Sequence, residues 1–428
     1  MSNTRKQEMP EWFDGKKINE ILFCEAFRKE HPMICINGRF FTVDGLIADP
    51  GKLEAEIFNT IRHFVTEKVS NTVKSLMGVL KLMCHSEPLH QQTDRIHVAN
   101  GTYYLDGHFD PEKQFCLNRL KVAYNETAPR PERFLAFLDD LLYPEDIPTL
   151  QEYMGYCLIP TNKAQKMMII TGNGGEGKSR LGLVMRSILG DNMSTNSIQS
   201  VERNRFTRAT LEYKLLMVDD DMKLQALPET SCIKTMVTLE GKMDLEWKGK
   251  QSEQRMMYCR FLCFGNGSPK ALYDKSDGFA RRLLILSTKP KPVDRKDDPF
   301  LADKFIAEKE NIFCWMLDGL RRLIKNNFRF TVSEKTKENV AEAVAENCNI
   351  VDFLAEAAVL SESSSISSTT LHRVYCDWCE ENALTALKRE TFINWLKSNA
   401  DKYSVRYSNN IYENGKRVRG FEGISLNR

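Results

Sequence analysis

The stretch "MMIITGNGGEGKSRLGLVMRSILGD", from Met167 to Asp191, restricts what this chain can fold into more than any other part of it. Met167 to Ile170 are apolar and read as a buried strand, and the residues after them fit G-x-x-x-x-G-K-[ST] at Gly172, Gly177, Lys178 and Ser179. Leu181, Val184, Met185 and Ile188 then recur at helical spacing, and Gly190 ends the run. Strand, glycine-rich loop and helix in that order predict a phosphate-binding loop. Glycine permits the backbone N–H groups of Asn173, Gly174, Gly175, Glu176 and Gly177 to wind around an anion, and the following helix N-terminus adds partial positive charge. Lys178 is expected on the β- and γ-phosphates of ATP, and the Ser179 hydroxyl on Mg²⁺.

Downstream residues narrow the use of that nucleotide. In "KLLMVDDDMK", Leu215 to Val218 form a buried strand that ends in carboxylates. Asp219 is expected to hold Mg²⁺ and Asp220 to orient the attacking water, with Asp221 a competitor because the register can shift by one residue. "RFLCFGNGSP" reads as another strand, and Asn266 at its end is placed to sense the γ-phosphate. "DKSDGFARRLLILS" puts two arginines before a strand. Arg281 is the first choice, and Arg282 the second, for a guanidinium that reaches a γ-phosphate, which in a ring belongs to the neighbouring subunit. Between these motifs "EWKGKQ" reads as a hairpin tip, with Lys248 and Lys250 flanking Gly249. Lysines and a tryptophan there suit a strand-tracking DNA loop, and a solvated charged turn is the alternative.

The flanking sequence predicts residues 1–110 as a mixed α+β domain with hairpins at "CINGRF" and "VANGTY", 111–160 as a helical segment, and 161–295 as the ATPase core. A boundary falls at the proline- and charge-rich "TKPKPVDRKDDPF", a helical segment covers 296–345, and residues 346–428 form the last domain. There, "SESSSISSTT" reads as a linker or loop, followed by two helices and a hairpin in the order of a winged helix-turn-helix. The wing would carry Lys416, Arg417 and Arg419, which suits DNA, although winged helices also bind protein.

Overall charge excludes a generally basic nucleic-acid coat: 60 Lys and Arg face 58 Asp and Glu, for a net +2, so DNA contacts must come from local patches. No apolar run approaches the ~18 residues of a membrane span, and "MSNTRKQEMPEW" lacks a signal-peptide core, so a soluble, cytoplasmic protein is expected. The 12 cysteines sit in apolar surroundings and read as reduced, buried thiols. Cys376 and Cys379 make a lone C-x-x-C inside a helical run, which predicts packing and no zinc site.

The order of P-loop, "LLMVDDD", lysine hairpin, strand ending in Asn266, and "GFARRLLIL" resembles the superfamily 3 helicases, specifically the phage and plasmid primase-helicase type related to the phage P4 and poxvirus D5 proteins. "LQEYMGYCL" is similar to the region that precedes the core in that group, and the resemblance covers about residues 110 to 320. It implies an AAA+-like ATPase core with a helical collar, assembled as a homo-oligomeric ring, usually hexameric, which hydrolyses ATP between subunits and translocates on single-stranded DNA. Carried over, Lys178, Ser179, Asp219 and Asp220 serve the nucleotide, Asn266 senses it, Arg281 reaches across, and Lys248 tracks DNA. The hairpin approach reads "LEGKMD" where P4-type proteins commonly have Gly-Gly-Asp. The N-terminal region is too short for the primase domain of many relatives and shows no paired acidic metal motif, so a helicase without primase is expected. The setting implied is replication of a phage, plasmid or other mobile element in a bacterial cytoplasm. Origin duplex DNA and a separate primase or polymerase are candidate partners, and a helicase loader is the alternative function.

Overall fold

The computed structural model describes residues 9–223, 230–239, 241–267, 276–291, 298–345, 349–382, 384, 386–401, 403–413 and 415–426. It divides into two compact units, the first within residues 1–269 and 276–340, the second within 270–275 and 341–428.

The first unit opens with α1 (Glu20–Glu30), capped by the Asn19 side chain, and a small sheet of β1 (Ile34–Ile36), β2 (Arg39–Thr42) and β3 (Gly45–Leu46). Asn37 and Gly38 both have positive φ, 52° and 74°, as a tight hairpin turn requires. Next come α2 (Pro50–Ile61), capped by Asp49 with proline at its start, and α3 (Val69–Met83). A second sheet follows at the other Asn-Gly, made of β4 (Arg95–Val98), β5 (Gly101–Tyr104) and β6 (Phe109–Asp110). Helix begins only at α4 (Glu132–Leu141) and continues with α5 (Ile147–Tyr156), so the expected helical segment is corrected over residues 111–131. Prolines at 111, 129 and 131 interrupt that stretch, and buried Arg119 holds it by donating to the carbonyls of Val43, Val98, Gly101 and Gln114.

The core of this unit is a five-stranded sheet of β7 (Met167–Gly172), β8 (Met193–Thr195), β9 (Leu216–Met222), β12 (Arg260–Asn266) and β13 (Leu283–Ser287), in the order β13-β7-β12-β9-β8. All four pairings are parallel. Around it lie α6 (Ser179–Leu189), α7 (Ile198–Arg203), α8 (Arg205–Ala209), α9 (Ser231–Thr238) and α10 (Asp277–Ala280), and the antiparallel pair β10 (Lys242–Leu245) and β11 (Glu253–Met256) projects from it. The central strands are buried on both faces, which explains their continuous apolar runs.

Helices α11 (Leu301–Ala307), α12 (Lys309–Lys325) and α13 (Glu334–Ala345) follow. The α12 helix packs on α5 at reciprocal glycines: a methyl on Gly155 would stand 2.6 Å from the Leu320 amide nitrogen, and one on Gly319 would stand 2.6 Å from the Gln151 carbonyl carbon. Buried Glu152 reinforces the junction by accepting from Arg322 at 2.5 Å and from the Thr331 amide at 2.7 Å. Alanine favours a free helix over glycine, yet here the methyl meets backbone that cannot turn aside. Gly155→Ala is therefore expected to destabilise the protein by about 2 kcal/mol, read as a lowered thermal midpoint. An unchanged midpoint would mean that the two helices separate without cost.

The second unit contains α14 (Asn349–Ala357), β14 (Ala358–Ser367), α15 (Ser368–Glu381), α16 (Arg389–Ser398), β15 (Arg406–Glu413) and β16 (Lys416–Leu426). Its antiparallel sheet has the order β14-β16-β15, around a core that includes Phe353, Tyr375, Phe392 and Phe421. This corrects the serine-rich linker. Its residues 361–367 belong to β14, paired from Ser365 to Glu422 and from Ser367 to Gly420, the Ser367 hydroxyl caps α15, and residues 368–370 open that helix. Cys376 and Cys379 lie on α15. Residues 292–297 of the proline-rich boundary and Asn414 of the last turn lie outside the described residues. Among those described, no helix is long and apolar enough to cross a membrane.

Candidate functional site

Parallel strands end on one side of the sheet, and in such sheets ligands bind at those carboxyl ends. Here β7 ends at Gly172, which pairs with Asn266 at the end of β12, and the Gly267 amide donates to the Gly172 carbonyl at 2.8 Å. Because β12 lies between β7 and β9, Asn266 stands between the phosphate loop and the acidic strand. The resulting cleft, about 580 Å³, is lined by Gly174 to Arg180, Asp220, Phe264 and Asn266. Asp298, Pro299 and Leu301 close another side.

The loop has the backbone an anion cradle needs: Gly174, Gly175 and Gly177 have φ of 99°, 80° and 102°. Gly172 is constrained by space, since a methyl there would be 2.8 Å from both the Glu176 carboxylate and the Lys178 amine and nearer still to the Thr288 hydroxyl. Lys178 is buried, and its Nζ donates to Glu176 Oε2 at 2.7 Å. Glu176 Oε1 accepts from the Asn173 amide. Burial pushes the Glu176 carboxyl up, but the Lys178 hydrogen bond, the backbone amides and the lysine charge outweigh it and hold it below the usual range. The loop thus supplies its own anion to its lysine.

The three aspartates of β9 separate by face. Val218, on the preceding alternate position, faces α6 near Gly182, and Asp220 shares that face and lines the cleft. Asp219 is buried instead, accepting from the Ile198 amide at the start of α7 at 2.7 Å and from the Asp221 amide at 3.3 Å. Burial raises its carboxyl, opposed by those two amides. Asp221 is exposed and is not among the cleft residues. The structure therefore brings Lys178, Ser179, Asp220 and Asn266 together and gives the Asp219 carboxylate to α7.

The arginine pair lies elsewhere. Arg281 and Arg282 precede β13, whose Leu283 pairs with Met167 at the beginning of β7, so they occupy the opposite end of the sheet from Gly172. The five steps between the first and last of the six residues of β7, at about 3.3 Å each, separate the two ends by about 17 Å. Arg281 is exposed, whereas the Arg282 guanidinium donates to the Gly278 carbonyl. Burial, with the neighbouring Arg281 charge, pulls Arg282 below its ordinary value. Lys166 anchors the Arg281 backbone by donating to its carbonyl at 2.6 Å.

Lys248, Gly249 and Lys250 are exposed at the β10–β11 tip, where the Lys250 amide closes on the Trp247 carbonyl at 3.0 Å and Gly249 has φ 77°. Arg255 lies over the Trp247 ring at 5.8 Å and pairs with buried Glu212 at 3.5 Å, so the base of the hairpin is held while its tip is free to meet a ligand. In the second unit Lys416, Arg417 and Arg419 are exposed on β16. Sequence reasoning missed the Glu176–Lys178 pair and the 298–301 side of the cleft. A carboxylate two residues from the lysine was the available signal for the first, and the second had none.

Residues 170–282, which run from the glycine-rich loop to the arginine pair, match a family of unknown function (DUF5906). Residues 345–422 match the poxvirus D5 protein-like family. No curated protein matches. Among solved structures, an apo structure of the NrS-1 C-terminal region aligns with TM-score 0.52 and 12% identity over 95% of this chain and 100% of that one, which shows a shared fold. Two A-form apo structures of the same region align with TM-scores of 0.49 and 0.47, at 14% and 11% identity, over 90% and 93% of this chain and 92% and 98% of theirs. The D5-like match over residues 345–422 and the fold shared with the NrS-1 C-terminal region over most of the chain are what a resemblance to the D5-related superfamily 3 helicases predicts.

Proposed function

We propose that this protein is an ATP-driven DNA helicase for the replication of a phage, plasmid or other mobile element, working as a homo-oligomeric ring, usually hexameric in this group. One observation carries the reading: a single sheet gathers Lys178, Asp220 and Asn266 at one end and presents Arg281 at the other. Such a subunit has most of a hydrolytic site, plus a guanidinium positioned for someone else's site.

In this mechanism the amides from Asn173 to Lys178 and the Lys178 amine take the ATP phosphates, displacing the Glu176 carboxylate. Ser179 and Asp220 offer the hard oxygen donors that Mg²⁺ prefers, and the ion would neutralise charge on the β- and γ-phosphates. Asp220 takes the role expected of Asp219, which supports it from beneath through α7. Asn266 and Asp220 orient the attacking water, and Arg281 from the adjacent copy stabilises charge on the γ-phosphate, with Arg282 holding the turn. Lys248 and Lys250 at the hairpin tip track single-stranded DNA. The second unit, in the order helix, strand, two helices and hairpin, supports a winged helix-turn-helix whose Lys416, Arg417 and Arg419 contact duplex phosphates.

The test is ATP turnover by the purified protein with and without single-stranded DNA. Stimulation of about tenfold, lost in Lys248→Ala/Lys250→Ala while basal turnover persists, is expected. Turnover indifferent to DNA, with a stable complex to another helicase, would instead assign the protein to helicase loading.

A further inference from the structure

The α6 helix starts at the phosphate loop and ends, eleven residues on, at a second cleft of about 630 Å³. Lys113, Lys121, Arg186, Lys214 and Lys309 line that cleft, with Asp44 and Asp191 as its carboxylates. Past Leu46 and Lys214 it runs into a neighbouring cleft of about 510 Å³, which adds Arg39, Lys74 and Lys81 against Glu54. These eight basic side chains against three carboxylates make the furrow locally positive on a chain with a net charge of only +2.

Local pairing does not neutralise them. Lys113 pairs with Asp44 at 2.8 Å, Lys121 with Asp191 at 3.4 Å, and Arg39 with Glu212 at 3.1 Å. Among the described residues, Lys74, Lys81, Arg186, Lys214 and Lys309 have no carboxylate at ion-pair distance. Where they bond, it is to neutral oxygens that leave the charge intact: Arg186 to the Met193 carbonyl, Lys214 to the Asp191 carbonyl, and Lys309 to the Lys121 carbonyl. Lys74 and Lys81 are both exposed and lie seven residues apart on α3, hence on one face two turns apart.

We propose that this furrow binds the phosphodiester backbone of a nucleic acid, as a contact separate from the hairpin tip and the wing. Positive charge spaced along an open furrow suits a repeating anion better than a single small one. The rings nearest it, Phe40 and Tyr213, are buried in the core, so it has charge without a stacking platform and should bind without sequence preference. The furrow meets the C-terminal end of α6, so a strand held there lies at the far end of the helix from the nucleotide and does not compete with it.

The proposal stands apart from ATP hydrolysis, and its test needs no nucleotide. Fluorescence anisotropy would follow a labelled oligothymidine and a labelled duplex binding to the full chain across a salt series. Lys74→Glu/Lys81→Glu is expected to weaken binding about tenfold and to flatten the salt dependence by about 1.4 to 1.8 in log–log slope, the share of two phosphate contacts. Loss on the oligothymidine alone, on the duplex alone, or on both supports the site and identifies the strand form it takes. Lys74→Gln/Lys81→Gln should give a smaller loss in the same direction with an unchanged thermal midpoint, which separates lost charge from lost folding. Unchanged affinity and slope in both variants would overturn the proposal, as would unchanged affinity with an altered oligomer size, which would give the furrow to a neighbouring subunit. A protein with no ATP turnover at all would leave either result standing.

Discussion

Lys178→Ala is expected to cut ATP turnover by roughly a thousandfold, the scale on which a charge that stabilises a transferring phosphoryl group acts. It should also lower stability without nucleotide, because Glu176 is buried against Lys178 at 2.7 Å and would lose its cation. That cost is about 1–3 kcal/mol, the penalty of removing one partner of a buried, charge-assisted hydrogen bond. The sign with pH follows from the lowered Glu176 carboxyl: the pair stabilises above the ordinary carboxylate range and loses its contribution as pH falls through the depressed value. Adding Glu176→Gln to Lys178→Ala should recover the thermal midpoint at neutral pH and leave turnover dead. Steady-state phosphate release and thermal unfolding measure the two effects separately. Turnover above a tenth of the native rate in Lys178→Ala would remove this loop from the hydrolytic site.

Arg281→Ala carries the second large effect. Because the Arg281 end of β13 lies about 17 Å along the sheet from its own phosphate loop, the substitution should leave nucleotide affinity within about twofold while turnover falls roughly a thousandfold. Mixing decides whether it acts on the adjacent copy. Inactive Arg281→Ala and inactive Lys178→Ala subunits assembled together create some interfaces where an intact loop faces an intact arginine, and turnover should reappear in proportion to them. No recovery in assemblies shown to contain both subunits would place the arginine's effect within its own chain. Arg282→Ala makes the contrast, since its guanidinium already bonds the Gly278 carbonyl: a stability loss is expected there in place of a selective loss of turnover.

The nucleotide unit was legible where residue chemistry marks the ends of strands. Gly172, Asn266 and the aspartates of β9 each terminate an apolar run, and the structure brings those ends together. Which aspartate faces the cleft was not legible, because "LLMV" is buried on both faces and carries no alternation from which to read its orientation. Asp219 and Asp220 differ only in which side of the sheet they leave. The serine-rich β14 was missed for a different reason: serine has little intrinsic preference for strand, and its pairing with β16 comes from residues some sixty positions away. Residues 111–131 failed as helix because Arg119 ties them to distant carbonyls, an arrangement with no periodic trace.

The reciprocal glycines of α5 and α12 have a mechanical meaning. They fasten the chain as it enters the five-stranded sheet to the chain as it leaves, backbone against backbone, so the sheet belongs to a loop whose two ends are pinned together. In the proposed mechanism, displacement on ATP turnover is expected at features that stand away from the clamp, foremost the β10–β11 hairpin and the Arg281 turn. In that mechanism they are where the protein would meet single-stranded DNA and a second copy of itself.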